Sequence, residues 1–114
     1  MRVTGIEQAT LVREIRQWLG QESVKGLPAT LYIYGSRVNA TRHGGHIELL
    51  LVVGSEKLCK QIELRKHEML QAIKEILGEQ KIEILPCSKT NLVTNAFVRS
   101  IWKEKVLLGE LLTL

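Results

Sequence analysis

The chain has 114 residues, of which 45% are hydrophobic and 25% are charged, and its formal net charge is +4. These values are typical of a folded domain and exclude a disordered or fibrous chain, so we expect residues 1–114 to form one domain. The longest uncharged apolar stretch, Leu49 to Val53, is far too short to cross a membrane, which predicts a cytoplasmic protein.

The first predicted element is an amphipathic helix that ends near Gly20. Thr4 and Glu7 have the spacing of a capping box, in which each side chain accepts a hydrogen bond from the backbone N–H of the other residue. Apolar residues then recur at helical intervals, at Leu11, Val12, Ile15, Trp18 and Leu19. We therefore expect one face of this helix to be buried.

Two short β-prone runs follow the helix. The first, Leu31 to Tyr34, stops at Gly35, whose backbone freedom suits a sharp turn or a close approach to a ligand. The second contains Ile47 and Leu49 to Val53. The polar stretch between them, from Val38 to Gly45, predicts a loop or a short helical turn.

The next predicted elements are a long helix and a third strand. Ser55 is placed to cap the helix and Gly78 to end it. The expected inner face of this helix consists of Leu58, Ile62, Met69, Ile73, Ile76 and Leu77. The run from Lys81 to Leu85 alternates polar and apolar residues, which predicts a strand that stops at Pro86.

The last predicted element is a helix from Leu92 to Leu108. Its expected inward side chains are those of Val93, Phe97 and Ile101, and the pattern leaves Trp102 open between an inward and an exposed position. The element order is then α-β-β-α-β-α. This order predicts an α/β (α+β) fold, in which a small mixed β-sheet is flanked by helices.

Chemistry-bearing residues cluster around the two ends of the predicted turn between the first strands. Gly35-Ser36-Arg37 ends the first strand, and His46 and Glu48 begin the second. His46 and Glu48 are two residues apart on a strand, so their side chains are expected to share one face. Glu83 on the third strand is expected to come within reach of them.

This pattern resembles the minimal nucleotidyltransferases of the DNA polymerase beta-like superfamily, over about Leu31 to Leu108. In that family Gly-Ser ends one strand, Asp-x-Asp begins the next, and a later strand bears a third carboxylate. The resemblance implies that Gly35, Ser36 and Arg37 bind nucleotide phosphates, and that His46, Glu48 and Glu83 are the catalytic and metal-binding positions. Active relatives hold two Mg²⁺ ions with three carboxylates, for in-line displacement at a nucleoside triphosphate.

The chain departs from the family pattern at two of these positions. His46 stands at the place of the first aspartate and Glu48 at the place of the second. A neutral histidine removes one negative charge, and imidazole suits Mn²⁺ or other transition metals better than Mg²⁺. The longer glutamate shifts the carboxylate oxygens, and misplacement by about 1 Å can reduce a rate on the order of a hundredfold. We therefore expect two-metal catalysis to be lost or much reduced, with Mg or Mn as the candidate cofactor.

Two functions follow as alternatives. In the first, the protein is a catalytically degenerate module of the antitoxin type, paired with a small helical, toxin-like nuclease; Val98 and Trp102 are the expected interface residues. In the second, it is an enzyme that transfers a nucleoside monophosphate to a hydroxyl group with Mg or Mn. A homo-oligomer is compatible with both alternatives.

Ordinary structural roles stand beside these functional ones. Gly35-Ser36 is also compatible with a plain turn at the end of a strand. His46 is also compatible with a hydrogen-bonded or solvated residue on a strand. Glu48 and Glu83 are also compatible with solvated side chains or with ordinary ion pairs to Arg or Lys. The two cysteines, Cys59 and Cys87, lack metal-site spacing and predict free thiols in a reducing compartment. A third alternative, an RNA-binding domain, is suggested only by the modest positive charge.

Overall fold

Four helices and four strands are formed by residues 4–21, 29–35, 47–78 and 81–111, which the computed structural model describes. In chain order they are α1 (Gly5–Gln21), β1 (Ala29–Tyr34), β2 (Ile47–Val53), α2 (Glu56–Leu77), β3 (Ile82–Ser88), α3 (Lys89–Thr94), α4 (Ala96–Trp102) and β4 (Val106–Glu110). The predicted fold class, a small mixed sheet with flanking helices, is confirmed. Among these elements, no helix has both the length and the apolar character needed to cross a membrane.

The four strands form one mixed sheet in the order β3-β2-β1-β4. β1 is antiparallel to both β2 and β4, whereas β2 and β3 are parallel. Two parallel neighbours need a crossover connection, which α2 provides. The ends of β1, β2 and β3 that carry the candidate residues therefore meet at one edge of the sheet.

Both faces of the sheet are covered by helices. Alternate residues of the strands, such as Leu31 and Leu49, face α1 and α2 and form the larger core. The other set of alternate residues, such as Leu50 and Cys87, packs against Val98 of α4 in a second, smaller cluster. Because α4 has only 7 residues, this second layer is short.

The predicted helix ends are confirmed. The Thr4 and Glu7 side chains accept hydrogen bonds from each other's backbone N–H groups at 3.1 and 2.9 Å. The Ser55 hydroxyl accepts a hydrogen bond from the Leu58 backbone N–H at 3.3 Å, and Gly78 ends α2 with a φ of 86°. Most residues of the predicted inner faces are also buried, but the prediction that Ile76 faces inward is wrong, since this residue is 49% exposed.

The prediction of a single last helix from Leu92 to Leu108 is wrong. Asn95 ends α3 and begins α4, where its side chain accepts a hydrogen bond from the Val98 N–H at 3.1 Å. This break changes which residues face inward: Val93 and Phe97, predicted to be buried, are 72% and 52% exposed. Val98, predicted to be an exposed interface residue, is fully buried.

The chain beyond α4 forms a strand in place of the predicted helix. Lys103 and Glu104 turn the chain, and β4 then pairs with β1. The apolar run at the start of β4 pairs with the free edge of β1, and that edge is available only in the folded sheet.

The predicted end of the third strand at Pro86 is also wrong, because β3 continues to Ser88. Proline is tolerated there since β3 is the outermost strand of the described sheet.

Candidate functional site

Three polar side chains stand side by side across three neighbouring strands. Tyr34 of β1 is the direct cross-strand partner of Glu48 of β2, and Glu48 is in turn the partner of Glu83 of β3. Directly opposed residues share a face of the sheet, with β-carbons about 5 Å apart. The pairing therefore brings together the two carboxylates that the sequence singled out.

These three side chains line a cleft of about 460 Å³. Its charged residues are Glu48, Glu83 and Lys66. Its apolar and aromatic residues are Tyr34, Leu70, Ile84, Leu85 and Phe97. The volume falls within the range typical of small-molecule sites, which is about 300–1,000 Å³.

Gly35 leaves room for the Glu48 carboxylate because it has no side chain. Its φ is +78°, a conformation that other residues rarely adopt. A β-carbon at this position would lie 2.8 Å from the carboxyl carbon and both carboxyl oxygens of Glu48. The backbone at Gly35 and the Glu48 carboxylate are therefore in close contact at the end of β1.

Neither carboxylate of the pair has a cationic partner within the described chain. The ion pairs in those segments join Arg13 to Glu14, Arg65 to Glu68, and Lys66 to Glu63. Lys66 also donates a hydrogen bond from Nζ to the carbonyl oxygen of Ile84 at 3.1 Å. The positively charged residue that lines the cleft, Lys66, is thus already paired, and among the described residues the negative charge of Glu48 and Glu83 is not neutralised by an ion pair.

The pKa of Tyr34 is raised by its burial and by the two neighbouring carboxylates. Its side chain is only 5% exposed, and burial raises its pKa to about 12, with further contributions from the negative charges of Glu48 and Glu83. The phenol is consequently neutral at physiological pH. Tyr34 lines the cleft, and its hydroxyl has no hydrogen-bond partner among the described residues, so we expect this hydroxyl to be available as a donor to a ligand.

The donor set fits one hard cation better than two. Two adjacent carboxylates provide oxygen ligands of the kind that Mg²⁺ and Mn²⁺ accept. Within residues 4–21, 29–35, 47–78 and 81–111, however, no three His, Cys, Asp or Glu side chains are grouped to hold a metal ion. A cation at Glu48 and Glu83 would therefore complete its coordination with water or with ligand oxygens.

Three predicted site residues lie outside the described residues, namely Ser36, Arg37 and His46. The loop predicted between Val38 and Gly45 lies there as well. Three residues that line the cleft were not among the predicted site residues, namely Tyr34, Lys66 and Phe97. Strand alternation could have identified Tyr34, because it precedes Gly35 directly, but no sequence signal pointed to Lys66 or to an exposed Phe97.

Comparison of the chain with protein-family models, with characterised proteins and with solved structures finds no match.

Proposed function

We propose that this protein is a minimal nucleotidyltransferase-like domain with a degenerate catalytic centre, which binds a nucleoside triphosphate together with one divalent cation and acts as a binding module. The observation that carries the proposal is the Glu48–Glu83 pair, held in register beside Gly35 without a cationic partner among the described residues. A bound cation would neutralise this pair and the phosphate oxygens together. The segment Gly35-Ser36-Arg37, which comes next in the sequence after β1, is the proposed phosphate anchor.

The degenerate character follows from the number of carboxylates. Glu48 and Glu83 supply two, and His46 stands where the family pattern has its first aspartate. One cation can bind and orient a triphosphate. Stabilising both the attacking and the leaving oxygen is a task that two-metal sites share between two ions. Nucleotide binding is therefore expected to outlast efficient transfer.

A helical protein partner, of the toxin-like nuclease type, completes the proposal. Val98 cannot take part, because its side chain is buried between α4 and the sheet. The exposed apolar side chains of Val93 on α3 and Leu107 on β4 are better contact points, since both are more than half exposed. The two cysteines, Cys59 and Cys87, are free thiols, which suits a reducing compartment; the proposed location is therefore the cytoplasm. Co-expression with a helical protein encoded by a neighbouring gene tests the pairing, and a strictly monomeric protein with no such partner would count against it.

The first test is calorimetric titration of ATP into the purified protein with Mg²⁺, with Mn²⁺ and with a chelator. We expect metal-dependent binding that Glu48→Ala removes. Glu75→Ala is the matched control, because Glu75 is an exposed glutamate on α2 that does not line the cleft. Absence of heat under every condition would remove the nucleotide from the proposal and leave only a protein-binding role.

The second candidate function is an active transferase, and the uncompensated charge of the pair favours it. A carboxylate pair without an ion pair in the described chain is what a catalytic cation needs. The test is transfer of labelled adenylate from ATP to a hydroxyl acceptor with Mg²⁺ or Mn²⁺. Transfer that Glu48→Ala abolishes would establish this alternative, whereas no transfer to any acceptor supports the degenerate module.

A further inference from the structure

Phe97 is a large apolar side chain in an unusual position. It lies near the start of α4, is 52% exposed, and lines the cleft, whereas its neighbour Val98 is fully buried. Its ring meets that of Tyr34 edge-on, with centroids 6.0 Å apart and an interplanar angle of 75°. In an edge-to-face contact Tyr34 covers at most one face of the Phe97 ring. The remaining aromatic surface is open to a ligand.

The cleft thus combines two kinds of lining. Glu48, Glu83 and Lys66 carry charge, and Phe97, with the apolar side chains of Leu70 and Leu85, provides an aromatic and aliphatic wall. A ligand that fills such a cleft has one highly charged part and one flat, weakly polar part. Free phosphate or a bare cation would leave the aromatic wall exposed to water.

Tyr34 links the two parts of the cleft. It is the cross-strand partner of Glu48 and the ring neighbour of Phe97. One cross-strand step of about 5 Å and one ring contact separate the carboxylate from Phe97, so the two ends are roughly 10 Å apart. An extended nucleotide bridges such a span with its ribose and first phosphate.

We infer that Phe97 is the stacking platform for the nucleobase of the bound nucleotide; this rests on the proposed function, of which it specifies the ligand. Stacking on an aromatic ring is tolerant of base identity, because every base has a π face. Purines present a larger ring area than pyrimidines, so the site prefers purine nucleotides modestly and discriminates weakly between ATP and GTP. Phe97 is a binding and specificity residue and takes no part in the chemistry.

The experiment compares ATP with inorganic tripolyphosphate in the presence of Mn²⁺, by calorimetry on the full chain. Tripolyphosphate has the charged part of the ligand without the base. We expect ATP to bind about tenfold more tightly than tripolyphosphate, which is at the lower end of the stacking range. Phe97→Ala and Phe97→Leu should abolish this difference by weakening ATP alone, while Phe97→Trp should retain it.

The control variant is Leu64→Ala, which removes an exposed apolar side chain of α2 that does not line the cleft. It should leave both affinities unchanged. Equal binding of ATP and tripolyphosphate by the wild-type protein, or equal weakening of both in Phe97→Ala, would overturn the stacking role and leave the proposed function intact. If neither probe binds, the proposed function fails together with the inference.

Discussion

The Glu48 carboxylate occupies the space that a side chain at Gly35 would need. A β-carbon there would stand 2.8 Å from three of its atoms, so the glycine and the glutamate fit only as a pair. Gly35 and Glu48, which are 13 residues apart in the sequence, are therefore one structural unit.

Gly35→Ala should disrupt this unit. The substitution places a β-carbon at a φ of +78°, which destabilises the fold by roughly 1–2 kcal/mol, and it displaces the Glu48 carboxylate. We expect metal-dependent ATP binding to weaken at least tenfold in calorimetry. Gly20→Ala is the control: Gly20 lies in the last turn of α1 with open space around it, so alanine should raise stability by up to about 1 kcal/mol and leave ATP binding unchanged.

Glu83→Gln should stabilise the protein without its ligand while weakening the site. Like charges directly opposite each other on neighbouring strands are destabilising, so removing one should raise the free energy of unfolding by about 0.5 kcal/mol. The same change removes a ligand for the cation and should lower metal-dependent ATP affinity. Urea unfolding and calorimetry measure the two effects. Glu75→Gln should change neither; a loss of stability in Glu83→Gln would show that the charge is compensated.

Val98→Ala and Phe97→Ala separate the two faces of α4. Val98 is fully buried in the smaller core cluster, so its truncation should destabilise the fold by about 2 kcal/mol. Phe97 is half exposed, and its truncation should lower the unfolding free energy by less than half as much. Denaturant unfolding of both variants measures the difference. The reverse order would mean that α4 is rotated relative to the sheet.

Ser55→Ala tests the start of α2. The Ser55 hydroxyl accepts a hydrogen bond from the Leu58 N–H, and loss of such an N-cap typically costs about 1 kcal/mol. Ser55→Asp should retain most of the stability, because aspartate is an equally good cap and a negative charge is favourable at a helix N-terminus. Thermal unfolding of the two variants compares them. Equal stability of Ser55→Ala and the wild type would contradict the cap.

The buried thiol of Cys87 should make stability depend on pH in the alkaline range. Burial, with a smaller contribution from Cys59, raises its pKa from 9.0 to about 11. Below pH 9 the thiol is protonated in both states and its contribution is fully present. Between pH 9 and about 11 the unfolded chain loses the proton first, so the free energy of unfolding falls by up to about 1.4 kcal/mol per pH unit.

The stability difference between wild type and Cys87→Ala should therefore shrink as the pH rises from 8 to 10.5. Urea unfolding in the presence of a reductant measures it. Leu50→Val is the control, because it also removes atoms from the same buried cluster but introduces no change in titration. Its deficit should be constant with pH, and a Cys87→Ala deficit that is equally constant would contradict the raised pKa.

Local signals predicted the elements that have their own start and stop residues. Thr4 with Glu7, Ser55 and Gly78 act within a few residues of themselves, so their roles can be read from the chain alone. Strand alternation likewise placed Glu48 and Glu83 on strands. The prediction failed after Ser88, where Asn95 alone divides two helices and a free edge of β1 recruits β4.

The sequence by itself determined the fold class, the helix caps, the amphipathic faces of α1 and α2, and the candidate carboxylates, because each depends on spacing along the chain. Only the tertiary structure decided that Tyr34, Glu48 and Glu83 form one row, that Lys66 is already paired, and that Phe97 opens onto the cleft. These relationships depend on strand register and on the rotation of α4. Both are set by packing between segments distant in sequence, which no local pattern encodes.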